Sequence, residues 1–449
     1  MTSAAPPLKL GLIPVAVFLV FGFGAALVVP TDYSVPRPTP PDEACHAGYV
    51  IWLAQHRTLP VFLSLSDNYE GHQPPLYYLS ALPALGLHWL ARGSFPDQAR
   101  PGLVISLRLW SVLVAAGGVW IMWLLGRRVF PHDRLLALAP ALFLALWPGR
   151  TLIVSAVTND GLAEALSLLT FLLCALILQE GLSHRRAGAL GLAWALALMA
   201  KSTCLALAPV VLLAVVMAGT HEAETGDRAA AQRKTLAALG VIAGVVALVA
   251  GWWFVRNQLI YGDPLAAEVF NRLFKTDRAT PEYFLKLGLS GGAYFGLVVM
   301  NTALSFWGVY GQANVWSPAW YYVLGFLVWL GVLAGSARQR LKPAEPDEPG
   351  EDWRRPMWTL AWLLLVVVVV FFLRFNTEFY QAQARYLFTA NAPIALLTVL
   401  GLWDLDRRGV GRWAVVVALG AMLVMSLWSV AGFSALVAAH NPPPFVGSM

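Results

Sequence analysis

Two adjacent carboxylates, Asp42 and Glu43, lie in the stretch "PRPTPPDEACHAGYV", directly after the first long apolar segment of the chain. A fixed carboxylate beside an alcohol or amine can take the proton that the nucleophile loses as it attacks, which is the work of a general base. The same stretch also reads as a helix start, with Thr39 as N-cap, proline in the first turn and acids near the positive end of the dipole. The helix that follows, "EACHAGYVIWLAQHR", sets Ala44, Ala47, Ile51 and Ala54 near one face and suits the membrane surface. His46, His56 and His72 add nitrogen donors, so a divalent metal is one reading, with His46 and Glu43 as its first ligands. Their spacing matches no closed zinc pattern, and surface histidines are the default reading.

Further along, "NYEGHQPPLYYLSALP" puts the donors His72 and Gln73 just ahead of Pro74-Pro75, which open an aromatic-rich helix. Tyr77 and Tyr78 there suit headgroup level. In "SAVTNDGLAEA", Asn159 and Asp160 fall where one apolar run ends and the next begins; a turn capped by Asp explains them, and so does an acidic site. In "LMAKSTCL", Lys201 interrupts two apolar runs and must snorkel outward or meet an anion. "FNTEFYQAQARYLF" delivers Arg385 and Tyr386 to the start of another apolar run, with the same choice. Residues 256–286 gather Arg256, Arg272, Lys275, Arg278 and Lys286, a basic loop that an anionic ligand would explain.

The elements holding these residues are membrane helices. The chain is 449 residues long, 58% hydrophobic and 12% charged, with a mean hydropathy of +0.63. A bilayer-spanning helix takes about 20 mostly apolar residues, and that pattern recurs at 11–29, 103–125, 135–157, 161–180, 187–202, 203–219, 236–255, 317–335, 357–373, 386–403 and 413–436. The longest polar intervals, 30–73, 220–235, 256–284 and 336–356, are too short for a second core. The expected fold class is an all-α polytopic bundle of about 11–13 membrane segments with interfacial helices, forming one membrane domain over 1–449. Two outer loops interrupt it, 30–73 with an amphipathic helix and 256–307 with an interfacial helix. The first apolar run is long for a signal peptide and reads as a retained helix. Cys45, Cys174 and Cys204 make no disulfide framework, and the net charge of +6 is the loop bias of a polytopic protein, not a nucleic-acid signature.

Orientation follows from charge. With Lys9 inside and those eleven segments crossing, "GRRVFPHDR", "SHRR", "GDRAAAQRK", "SARQRLKPAEPDEPGEDWRRP" and "DLDRRGVGR" all fall inside, as the positive-inside rule requires. Segments 76–91 and 285–307 are then re-entrant or interfacial on the outer side. Asp42, Glu43, His72, Asp160, Lys201, Arg256 and Arg385 converge at or near the outer face, and ionisable residues at membrane depth mark functional cavities.

The order of these motifs is itself distinctive. The acidic pair, "HQPPLYYL", the Asp after "SAVTN", "AKST", "WWFVRNQLIYGDPL", "SFWGVYG" and "QARYLF" followed by "ANAPIALL" succeed one another over residues 10–400. In that order the chain resembles the GT-C glycosyltransferases, in the bacterial branch similar to protein O-mannosyltransferases and lipid A aminoarabinose transferase. The resemblance implies inverting transfer of a sugar from a polyprenyl-phosphate donor to a lipid, glycan or protein acceptor at the outer face of the bacterial cytoplasmic membrane. It makes Asp42 the catalytic base with Glu43 in support, Asp160 the second acidic position, and Lys201 and Arg385 the cations for the donor phosphate. His72, Gln73, Arg256 and Tyr386 join them as substrate-binding positions. Some relatives carry Lys where this chain has Gln73, which moves one phosphate contact toward His72. The chain ends at Met449 without a large outer domain, so acceptor contacts are expected within the membrane domain. A transporter or flippase for a lipid-linked or anionic substrate is the competing reading, although no internal repeat of the transporter kind is present.

Overall fold

In hydrocarbon every backbone N–H and C=O must be satisfied within its own segment, so long apolar runs become helices. A computed structural model describes residues 5–31, 39–66, 68–93, 101–276, 278–311, 315–339, 352–405 and 409–433. Among them the only strands are a short antiparallel pair, β1 (Val309–Tyr310) and β2 (Val315–Trp316), in which Val309 faces Trp316 and Tyr310 faces Val315. The first helices are α1 (Leu12–Val28), α2 (Glu43–His56), α3 (Leu76–Arg92), α4 (Pro101–Val129), α5 (Arg134–Leu146) and α6 (Pro148–Val154). Then come α7 (Asp160–Glu180), α8 (His184–Ala200), α9 (Ala208–Thr225), α10 (Arg228–Val246), α11 (Trp252–Tyr261) and α12 (Ala267–Phe274). The last six are α13 (Pro281–Lys286), α14 (Gly291–Gly308), α15 (Ala319–Gln339), α16 (Arg354–Phe375), α17 (Asn391–Trp403) and α18 (Val410–Ala431).

Nine helical stretches among the described residues are long and apolar enough to cross a bilayer, or ten if α5 and α6, bent by 60°, form one span. The protein is thus an all-α, multi-pass membrane bundle, as its hydropathy dictates. Three expected spans are altered. The segment 135–157 breaks at Pro148, which begins α6 because it has no N–H to offer a continuing helix. The segment 187–202 is the 17-residue α8, shorter than the nine. The segment 236–255 runs on: α10 passes through a π-helical turn, Ala247–Gly251, into α11, giving 34 continuous residues. At 1.5 Å per residue that is about 51 Å, well beyond a hydrocarbon core of about 30 Å. Arg256 therefore sits on a projecting helix, not in a loop, and Gly262 at φ 75° stops that helix in the left-handed conformation glycine tolerates. Of the two ambiguous segments, 76–91 is α3, and 285–307 divides at a turn into the end of α13 and α14; neither is among the nine. Of the basic clusters used for orientation, residues 340–351 and 406–408 lie outside the described residues.

The centre of the bundle is α4 and α7 packed together, with α1 and α5 on one side and α8, α9 and α10 on the other. Without a hydrophobic drive between helices in lipid, small residues permit close packing. Gly335 of α15 meets Gly401 of α17 so closely that any side chain on Gly335 would collide with the Gly401 carbonyl. Because α7 and α8 are consecutive and antiparallel, the start of α7 and the end of α8 meet at one end of the bundle.

Candidate active site

The two members of the acidic pair point to different partners. Glu43 is buried, and both its oxygens are held by Arg108 of α4: Nε donates to Oε1 at 2.7 Å and Nη2 to Oε2 at 2.6 Å. The Val157 N–H also donates to Oε1, at 2.9 Å. Arg108 spends its remaining donors on the carbonyls of Ala26, Val29 and Pro30, the unpaired end of α1. Glu43 is consequently a pin joining α1, α4 and the start of α2. Both its oxygens are thus engaged by a guanidinium, the geometry beside which the expected roles of catalytic support and metal ligand stand.

That pin sets the backbone of Asp42, which stands at φ 60°, ψ 5° in the left-handed region. A non-glycine residue there costs about 1–3 kcal/mol, and such strain persists where surrounding contacts impose it. Asp42 holds the N-cap position of α2, three residues later than Thr39 was expected to, yet its side chain makes no capping bond. Its Oδ2 instead accepts from Arg385 Nη2 at 2.8 Å. Arg385 Nη1 lies 4.0 Å from Asp160 Oδ2, and Lys201 Nζ donates to Asp160 Oδ1 at 2.5 Å. Asp160 does not cap a turn either; it is the first residue of α7, and its carboxylate serves the two cations and the Thr158 hydroxyl. Asp42, Asp160, Lys201 and Arg385, spread over 343 residues of sequence, thus form one chain of alternating charge. Burial acts to raise the Asp42 carboxyl, but Arg385 and Arg278 outweigh it and hold it down at about 2. Tyr386 floors the cluster, its ring centroid 5.4 Å from the Arg385 guanidinium carbon and 5.9 Å from Lys201 Nζ. Its hydroxyl donates to Gln381 at 2.9 Å.

A neutral layer lies beside this chain. The His46 ring shares a 2.8 Å hydrogen bond with the Tyr78 hydroxyl, and Tyr78 stacks on Tyr49. Burial lowers His46 to about 4, against the pull of Asp42 and Asp160, so it is neutral at physiological pH. Glu70 approaches His46 Nε2 at 3.9 Å. Burial, and then the Asp42 charge, push the Glu70 carboxyl up to about 8, so near neutrality this contact joins two uncharged groups. His72 bonds the Tyr69 carbonyl at 3.1 Å and sits among Phe62, Phe270 and Phe274; burial lowers it to about 3. Gln73 lies between His72, at 3.2 Å, and Asn159, whose amide donates to it at 3.2 Å.

Glu70 has a consequence for stability. From pH 5 to 8 the folded protein keeps a proton that the unfolded chain, titrating near 4.5, releases, so stability falls as pH rises through that window. Glu70→Gln fixes the neutral form, and its melting temperature is expected to vary less with pH between 5 and 9 than wild type. Parallel curves for the two proteins would show that Glu70 titrates normally.

Arg256 is not brought into the cluster. It donates to the Pro60 carbonyl at 2.7 Å and lies over Trp253 at 4.8 Å, tying α11 to the 57–72 loop. Arg278 comes closer than expected: it stacks 4.1 Å over Phe274, donates to the Tyr69 hydroxyl at 3.0 Å and acts on Asp42, whereas Arg272 is exposed. Among the described residues no group of three or more His, Cys, Asp or Glu is arranged to hold a metal. His46 is taken up by Tyr78, and His56 stacks on Trp52.

Four charged residues of this region were not singled out from sequence: Glu70, Arg108, Arg150 and Glu164. Arg108, Arg150 and Glu164 lie inside the expected spans 103–125, 135–157 and 161–180, and a charge within a span was the signal available. Arg150 Nε donates to Glu164 Oε1 at 2.6 Å, both side chains fully buried.

Two cavities meet at Arg385. One is a mostly apolar crevice of about 610 Å³, walled by Val29, Pro41, Trp147, Leu152, Phe306 and Phe388 among others. The second is much smaller, with room for about one water molecule, and is bounded by the polar side chains of Asp160, Glu164, Lys201 and Tyr386. Arg385 and Phe388 line both.

No family model matches this chain, and no curated protein matches it in sequence. Solved structures do match its fold. ArnT from Cupriavidus metallidurans bound to undecaprenyl phosphate aligns over 96% of this chain and 77% of its own, at 15% identity and a TM-score of 0.52. The archaeal oligosaccharyltransferase AglB from Archaeoglobus fulgidus, in complex with an inhibitory peptide and a dolichol-phosphate, aligns over 97% of this chain at 13% identity and a TM-score of 0.54. This chain spans 56% of AglB's length. This chain shares the fold of these two structures.

Proposed function

We propose that the protein transfers a sugar from a polyprenyl-phosphate donor to an acceptor hydroxyl or amine, with inversion, at the outer face of the bacterial cytoplasmic membrane. The observation that carries this is the position of Arg385, at the junction of the apolar crevice and the polar cavity and paired with Asp42. A molecule with a long apolar tail ending in a phosphate matches that sequence of surfaces. The tail lies in the crevice, and the phosphate meets Arg385 and Lys201. The acceptor O–H or N–H attacks the anomeric carbon, its proton passes to Asp42, and the bond from that carbon to the phosphate oxygen breaks with its electron pair on the phosphate. Fixed cations in a water-poor site stabilise the charge that develops there. A phosphate drawing on Arg385 also weakens that residue's hold on Asp42, which raises the carboxylate toward its ordinary range and makes it a better base. Two like-placed relatives in fold hold isoprenoid phosphates, and the basic inner loops support the orientation.

The test uses purified protein in lipid with radiolabelled polyprenyl-phosphate sugars, following release of label with and without EDTA. Wild type is expected to consume donor, while Lys201→Met weakens donor binding about 10–100-fold, the loss of one hydrogen bond to a charged group. Absence of both turnover and donor binding would overturn the reading in favour of a transporter, which uptake into vesicles would then reveal.

A further inference from the structure

The small polar cavity beside Arg385 is bordered by two groups that the reaction above leaves idle. Glu164 stands four residues after Asp160 on α7, on the same face of the helix one turn further in. It is 1% exposed, and its Oε1 accepts from both Arg150 Nε and Asn391 Nδ2 at 2.6 Å. Its Oε2 is buried with no hydrogen-bond partner in the protein, and Glu164 lines the cavity. Arg385 lines it too. That guanidinium gives Nη2 to Asp42 and sets Nη1 near Asp160, while its buried Nε–H has no protein partner. A carboxylate oxygen and a guanidinium N–H are costly to bury unpaired, and both side chains border a space for about one water molecule. A buried water is held by about two to four polar groups. Here an acceptor and a donor stand ready, with Lys201 on the same wall.

Resting on the donor reading above, we propose that Glu164 is a positioning residue for the cation that meets the phosphate. One bound water accepts from Arg385 Nε–H and donates to Glu164 Oε2, and this bridge fixes the plane of the guanidinium. Arg150 and Asn391 hold Glu164 from behind, so the anchor is itself rigid. The bridge matters at the step where the phosphate draws on Arg385 and loosens its bond to Asp42. Nη1 and Nη2 then turn to the phosphate without the side chain leaving its place, because Nε stays tied to α7. Glu164 acts through Arg385 alone; it meets neither the sugar nor the reacting atoms and takes no proton.

The test measures binding of farnesyl phosphate to the detergent-solubilised full chain, with melting temperature alongside. Glu164→Gln keeps an oxygen for Arg150 and Asn391 but turns an amide N–H₂ toward the cavity, so the bridge loses its acceptor. Affinity should fall about tenfold, the scale of one hydrogen bond to a charged group. Ala163→Val adds methyl groups beside the same cavity, displaces the water and leaves the Glu164–Arg150 pair intact. It should weaken binding similarly, and it decides the matter where Glu164→Gln misfolds. Each change is then repeated with Arg385→Lys, which keeps a cation but has no Nε–H; Lys201 still meets the phosphate, so binding stays measurable. In that background either change should cost less than about twofold, the non-additivity of residues that act as one unit. A loss of the same size in both backgrounds shows a merely structural role and overturns the inference, as does unchanged affinity in both variants with Arg385 present. Either result leaves the donor reading standing. Wild type that binds no farnesyl phosphate ends the donor reading and this inference with it.

Discussion

Asp42→Asn abolishes glycosyl transfer in the expected result, lowering turnover by about 10²–10⁴-fold, the usual contribution of a positioned general base. Binding of the polyprenyl-phosphate donor should be retained or slightly tightened, because Arg385 loses a competitor for the phosphate when Asp42 loses its charge. The substitution preserves shape, and the left-handed backbone suits Asn as well as Asp, so the fold should be unaffected. Single-turnover release of label, set against donor affinity and melting temperature, separates the three quantities. Turnover within about threefold of wild type would remove Asp42 from the chemistry and leave it as a local counter-ion to Arg385. The pH profile adds a second check. With the carboxyl held near 2 in the empty site, kcat/KM should show no acid limb from Asp42 above about pH 4. In the donor complex, with Arg385 shared by the phosphate, the corresponding limb in kcat moves to higher pH.

Glu43→Ala, one residue along, is expected to act almost entirely on stability. It strands Arg108 as a buried guanidinium without its carboxylate, and removing one partner of a buried ion pair costs about 3–5 kcal/mol. It also removes the acceptor for the Val157 N–H. The check is a double-mutant cycle of Glu43→Ala and Arg108→Ala by thermal unfolding in detergent. Because the second change removes the stranded charge, the double variant should be destabilised by clearly less than the sum of the two single changes. Any protein that folds should retain the Asp42 carboxylate and measurable transfer. A stable Glu43→Ala variant with no turnover would reverse the assignment and restore Glu43 to the chemistry.

These adjacent carboxylates mark how far sequence reading reaches. Asp42 and Glu43 are chemically alike and sit in the same turn, so nothing in "PPDEA" separates a base from a structural pin. The separation comes from Arg108 and Arg385, which reach them from 65 and 343 residues away. Lys201 and Asp160 were a better case. Each stood at the boundary of an apolar run, and antiparallel neighbours must bring such boundaries to one end of the bundle. Their ion pair follows from helix length and order, although its distance does not.

What the sequence by itself determined was the solvent and the skeleton. Hydrocarbon leaves no alternative to helices for runs such as 11–29 or 357–373, and the energy of exposing backbone there exceeds any local preference. It also determined that charges would gather at helix ends on one side, since ions avoid the bilayer interior unless paired. Tertiary structure alone decided the pairing. Whether Arg150 within α6 is neutralised by Glu164, or Arg256 reaches the Pro60 carbonyl, depends on which helix faces meet. Those meetings are fixed by close packing at small residues such as Gly335 and Gly401, and by breaks such as Trp147-Pro148. Coulomb attraction over a few ångströms rewards the pairs once they form, but packing chooses the partners, and packing is summed over the whole bundle, not over any motif.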